Sequence, residues 1–166
     1  MSTLGAALVL TLLGTPAQAE DVRRNWFGDP FFPLVSTLTG CPAPLGPLLT
    51  EAERRVQAHH RAEKGTTCWL AGKCDAPSAY AHDDEIAAAL EAAWREQAPA
   101  SVTRQPASVW ATVQARVVYF EGCAGDPAAA AELEAFARRL PRVLNAVAAL
   151  RTDPRAKPPY RTAAGQ

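Results

Sequence analysis

The four cysteines of this chain, Cys41, Cys68, Cys74 and Cys123, constrain its fold more than any other feature, and their chemistry depends on the compartment. The N-terminus reads as an export signal. An apolar run from Leu4 to Leu13 is followed by helix-breaking Gly14 and Pro16, then by Ala17-Gln18-Ala19, the small-x-small pattern of a signal-peptidase site. That run falls well short of the ~20 residues a helix needs to span a bilayer. Residues 1–19 are therefore expected to be a signal peptide, and the mature chain to be periplasmic or secreted. A rival reading concerns Cys41. Leu38-Thr39-Gly40-Cys41 has the form of a lipoprotein box, whose cysteine would carry an acyl anchor, although Asp29, Pro30 and Pro33 interrupt the apolar segment before it.

An even cysteine count in an oxidising compartment favours disulfides. A zinc site asks for two close pairs, or one pair with histidines at fixed spacing. Here the one close pair, in "TTCWLAGKCDAP", is wider than C-x-x-C, and His59 and His60 are neighbours that point about 100° apart on a helix. No metal and no cofactor is expected. Of the three possible pairings, Cys68 with Cys74 and Cys41 with Cys123 is favoured. The long bond would close a loop of about 80 residues and contribute about 4 kcal/mol by the chain-entropy argument.

Along the chain, residues 20–81 read as a proline-rich extension. Pro30, Pro33, Pro42, Pro44 and Pro47 forbid a long helix before Thr50, so residues 20–49 read as irregular. Thr50 and Glu53 form a capping box and Gly65 a C-cap, which sets a helix over 50–64 with a thin apolar face. A second helix opens on Asp83, with Ile86, Leu90 and Trp94 in one stripe. The period then changes to two. Val109, Ala111 and Val113 alternate with Trp110 and Thr112, and Val118 and Phe120 alternate with Tyr119 and Glu121, which predicts a hairpin turning at Ala115 and Arg116. Asp126-Pro127 opens a helix carrying Leu133, Phe136, Ala137 and Leu140, and a third strand is expected over 143–151. Residues 153–166 read as a disordered tail. The fold class is α+β: a small three-stranded sheet with two helices on one face, in the order α-β-β-α-β, preceded by a disulfide-stapled extension with one helix.

On "DDEIAAALEAAW", "VWATVQARVVYFEGCA" and "AAAAELEAFARRLPRVLNAVAAL", residues 82–152 resemble the BON domain, named for bacterial osmotically inducible and nodulation proteins. The match includes the apolar-x-Gly of Phe120-Glu121-Gly122. Arg116 and Arg142 stand where that family usually has glycine. The resemblance implies a periplasmic, non-enzymatic module that binds phospholipid or another envelope component. Charge supplies no separate reason for anionic lipid. Residues 83–151 hold nine acidic residues against seven arginines, and the whole chain balances 17 basic with 17 acidic residues, which also gives no bias toward nucleic acid.

If Val109, Ala111, Val113, Val118 and Phe120 face the helices, then Trp110, Tyr119 and Cys123 face the other way. Trp110 and Tyr119 are the candidate ligand-binding residues, and a Cys41–Cys123 bond would draw the extension across their face, with Trp69 as part of the cover. No Gly-x-Ser-x-Gly, Walker A, HExxH or dinucleotide motif occurs. His59, His60, His82 and Glu63 are the residues an acid–base enzyme would have to use, and no catalytic residue is assigned. The alternative to an envelope-binding module is an accessory subunit of a periplasmic protein assembly, acting through the exposed helix at 50–64.

Overall fold

The computed structural model describes residues 22–163; the signal-peptide reading of residues 1–19 lies outside them. The elements in chain order are β1 (Phe31–Ser36), α1 (Glu51–Glu63), α2 (Thr66–Leu70), α3 (Asp83–Gln97), α4 (Ala100–Thr103), β2 (Ala107–Gln114), β3 (Val117–Ala124), α5 (Ala129–Arg138) and β4 (Asn145–Arg151). The strands form one mixed sheet in the order β1-β2-β3-β4, antiparallel except for the β3–β4 pair, which α5 connects.

The α+β class holds, but the sheet has four strands rather than three. The extra strand comes from the extension, in the stretch read as irregular. Proline density hid it. Pro33 is tolerated because β1 lies at the sheet edge and bulges between Pro33 and Val35, where a missing ladder N–H costs little. The extension also holds two helices rather than one, and α4 stands in the connection between α3 and β2. The far edge is blunted differently. Glu134 accepts from the Ala148 N–H at 3.0 Å, and Arg138 donates to the Ala146 carbonyl at 2.8 Å, so α5 side chains occupy the outer edge of β4.

Strict alternation divides the sheet into two faces. Val109, Ala111, Val113, Val118, Phe120 and Ala146 are fully buried against Ile86 and Leu90 of α3 and Leu133, Phe136 and Ala137 of α5. Trp94 meets Phe136 edge-on, with ring centroids 6.0 Å apart. Gly122 is required where β3 passes β2, because a Cβ there would collide with the Ser108 carbonyl. The opposite face carries Ser108, Trp110, Thr112 and Gln114 on β2, paired with Cys123, Glu121, Tyr119 and Val117 on β3.

The β2–β3 turn has positive φ at both central residues, 52° at Ala115 and 64° at Arg116, as a two-residue hairpin of this twist demands. Neither is glycine, so the strain is held by an outside clamp. The Asp83 carboxylate accepts from the Ala115 N–H at 2.7 Å and the Arg116 N–H at 2.8 Å. Burial pushes this carboxyl above its usual range, while those two bonds pull the other way. The first residue of α3 thereby fixes the hairpin register.

Helix α1 keeps its capping box, with Glu53 N–H to Thr50 Oγ1 at 3.2 Å and Thr50 N–H to Glu53 Oε2 at 2.8 Å, yet buries no residue. Charge tethers it instead. Glu53 pairs with Arg23 at 2.6 Å and Arg161 at 3.0 Å, and buried Asp29 takes both Arg61, between the Phe27 and Tyr80 rings, and the Gln114 amide.

Replacing Asp83 with alanine strands two turn amides and is expected to cost about 2–3 kcal/mol in urea unfolding, with Asp83→Asn losing less because one acceptor remains. An unchanged midpoint in Asp83→Ala would remove the clamp from the account.

Candidate functional site

Cys41 is bonded to Cys123 and Cys68 to Cys74. The long bond spans 82 positions and joins the extension to the sheet face opposite the helices. With its sulfur so engaged, Cys41 has no thiol for acylation, and the lipoprotein reading is set aside. Of residues 153–163, expected to be disordered, 153–157 are exposed, and Tyr160 instead packs over this bond. The tail runs beside the extension: the Leu45 N–H donates to the Arg161 carbonyl at 2.7 Å, the Ala163 N–H to the Ala43 carbonyl at 3.0 Å, and Pro44 bridges Thr162. Tyr160 is buried, with its hydroxyl 3.6 Å from the Cys41 sulfur, 3.7 Å from the Cys123 sulfur and donating to the Pro42 carbonyl at 2.9 Å. Arg151 adds a strap, donating to the carbonyls of Gly40 at 2.9 Å and Pro154 at 3.2 Å. Composition misled here because proline and charge do not exclude a short packed segment that borrows its hydrogen bonds from a neighbour.

This cover stops part-way across the sheet. It ends near Gly46, whose φ is +58° and where a Cβ would lie 2.7 Å from the Phe31 ring. Beyond it opens a cavity of about 140 Å³ lined by Gly46, Thr112, Gln114, Tyr119 and Glu121. Of the two candidate residues from the sequence, Tyr119 lines the cavity, and Trp110 is half-buried on the same face directly opposite Glu121. Trp69 is 45% exposed and supplies no cover. Outside the cavity, Val147 of β4 pairs with Tyr119 in register and stands 42% exposed, with Leu144 at 67%.

Glu121 is the residue that sequence reading missed. Its carboxyl is pushed above the usual range by burial alone, with no cation or donor among the described residues to offset it. The same alternation that placed Tyr119 placed Glu121 two residues on, but it was read as the spacer of an apolar-x-Gly pattern. Gln114 adds a fixed acceptor. Its amide nitrogen donates to Asp29 at 2.6 Å, which sets the orientation of the amide and leaves the carbonyl oxygen and a second N–H free of that bond.

The histidines lie elsewhere. His59 meets Glu63 at 3.4 Å on the open face of α1, both side chains more than two-thirds exposed. His60 is exposed beside it, with ring centroids 6.0 Å apart. His82 sits in a surface ion cluster with Asp75, Glu85 and Arg142. Asp75 is held at about 2, chiefly by its hydrogen bond from Arg142 and then by His82. This cluster pins the Cys68–Cys74 loop to the start of α3 and to the turn before β4.

The sign of Glu121's contribution follows from its raised carboxyl. The folded chain holds this proton more tightly than the unfolded chain, so stability falls as pH rises above 4.5 through that window. Glu121→Gln is expected to remove that slope and to raise the urea midpoint at pH 7. Identical pH profiles for the two proteins would contradict it. Comparison with protein-family models, with curated proteins and with solved structures finds no match to this chain.

Proposed function

We propose that this chain is an exported binding module, not an enzyme, that engages a phospholipid surface or another component of the cell envelope through the open face of its sheet. One observation carries the reading. The face opposite the helices is roofed only in part, and the unroofed part joins a cavity holding Tyr119 and Glu121 to the exposed Val147 on the neighbouring strand. An aromatic and aliphatic strip beside a buried polar notch suits a ligand with an apolar body and a polar head.

The two disulfides suit an oxidising compartment, and no helix among the described residues is long and apolar enough to cross a membrane. The BON-like reading of residues 82–152 draws on two further points. Arg116 and Arg142, where that family usually has glycine, have φ of 64° and 66°, and β2, β3, α5 and β4 follow α3 in the order the resemblance implies.

A second reading, an accessory subunit of a protein assembly, has its own support. Helix α1 buries nothing and leaves Val56 60% exposed, and α2 leaves Leu70 79% exposed.

Sedimentation with vesicles of total envelope lipid separates the two. The module reading expects the protein in the pellet, with Tyr119→Ser/Val147→Ser reducing binding about fivefold, the effect of losing roughly 1 kcal/mol of apolar contact. Protein left in the supernatant, together with a co-purifying polypeptide lost on Val56→Asp/Leu70→Asp, would transfer the function to the helix face.

A further inference from the structure

We propose that the Glu121 cavity is a recognition site for a cationic nitrogen, a primary or quaternary ammonium group carried either by a lipid headgroup or by a small soluble molecule. The inference rests on the binding-module reading and names the chemistry of its ligand.

The cavity wall decides the sign of the ligand. Glu121 brings a carboxylate that no described cation neutralises. Gln114 brings a carbonyl, in an amide whose orientation is set by the N–H it donates to Asp29. Thr112 adds a hydroxyl, and Tyr119 an aromatic ring and a phenol oxygen. Among the described residues no Lys, Arg or His lines the space, so an anion such as a phosphate has no charged partner there. A cation does, and its type is limited. A divalent metal asks for about six oxygen ligands with more than one charged group, which this wall does not assemble. An ammonium group asks for a few acceptors, one charge and an aromatic neighbour, and this wall has all three. The volume, about 140 Å³, admits a head of that size.

The cost of keeping the site supports the same conclusion. A carboxylate withdrawn from water without a partner destabilises the fold, and the adjacent ion pairs show how this chain treats such groups elsewhere. Asp29 has Arg61, Asp83 has two backbone amides, and Glu53 has two arginines. Glu121 has no such partner among the described residues, and an incoming ammonium in its cavity would complete the pairing and lower its carboxyl toward the ordinary range.

Titration of the full mature chain with choline and with phosphoethanolamine, followed by amide NMR shifts, tests the assignment. Vesicle sedimentation with phosphatidylethanolamine present or absent in phosphatidylglycerol distinguishes the source. Shifts confined to Thr112, Gln114, Tyr119 and Glu121, weakened about tenfold in Glu121→Gln and unchanged in Glu63→Gln, are expected. Thermal melts of Glu121→Gln check that it is folded. Retention on ethanolamine-bearing vesicles, lost in Glu121→Gln, would identify a headgroup. Shifts with soluble amines but no vesicle preference would identify a free amine and count against the lipid surface, not the amine. Shifts absent with both amines, or equal in Glu121→Gln, would overturn the assignment. Vesicle binding that survives such a result would leave the module reading standing.

Discussion

The covalent bond between Cys41 and Cys123 is the constraint on which the rest of the open face depends. The segment it anchors, from Cys41 to Pro47, has proline at three of its seven positions and no regular structure of its own. It cannot fold onto the sheet by propensity. Its backbone finds partners in an equally irregular tail, and the two are ordered together by one tie to β3, by Tyr160 lying over that tie, and by Arg151 strapping both. Without the bond, ordering two loose segments would have to be offset by a few hydrogen bonds, each worth about 1 kcal/mol net, against backbone entropy of similar size per residue. With it, the cover has a fixed edge, and the cavity exists where that edge stops.

The remaining frame is held by carboxylates that are each given a task. Asp83 holds a glycine-free hairpin turn, Asp29 gathers Arg61 and Gln114, and Glu53 both caps α1 and ties it to Arg23 and Arg161. These are local solutions to local problems: a strained turn, a buried charge, a helix with nothing to bury. Glu121 has no such structural task, which is the physical contrast that marks it as a ligand group.

How much of this was legible in the sequence depends on where each signal is encoded. The capping box at Thr50 and Glu53, the alternation across Ala115 and Arg116, and the stripes on α3 and α5 are short-range patterns, and each leads to its element within a residue or two. Strand β1 was not legible, because its prolines argue against a strand unless its place at the sheet edge is already known. The order of residues 153–163 was not legible either, since it is conferred by Ala43 and Leu45, more than a hundred positions away. The site was half legible. Parity placed Trp110 and Tyr119 on the shared face, but Glu121 gains its character from how far the cover extends, which no local pattern contains.

The most direct test is amide hydrogen exchange at Leu45 and Ala163 before and after reduction, in a Cys68→Ser/Cys74→Ser chain so that only the long bond is broken. The account predicts both amides protected in the oxidised protein and exchanging freely once reduced, while Val113 and Val118 in the hairpin stay protected. Equal protection of Leu45 and Ala163 in both states, or none in either, would contradict it.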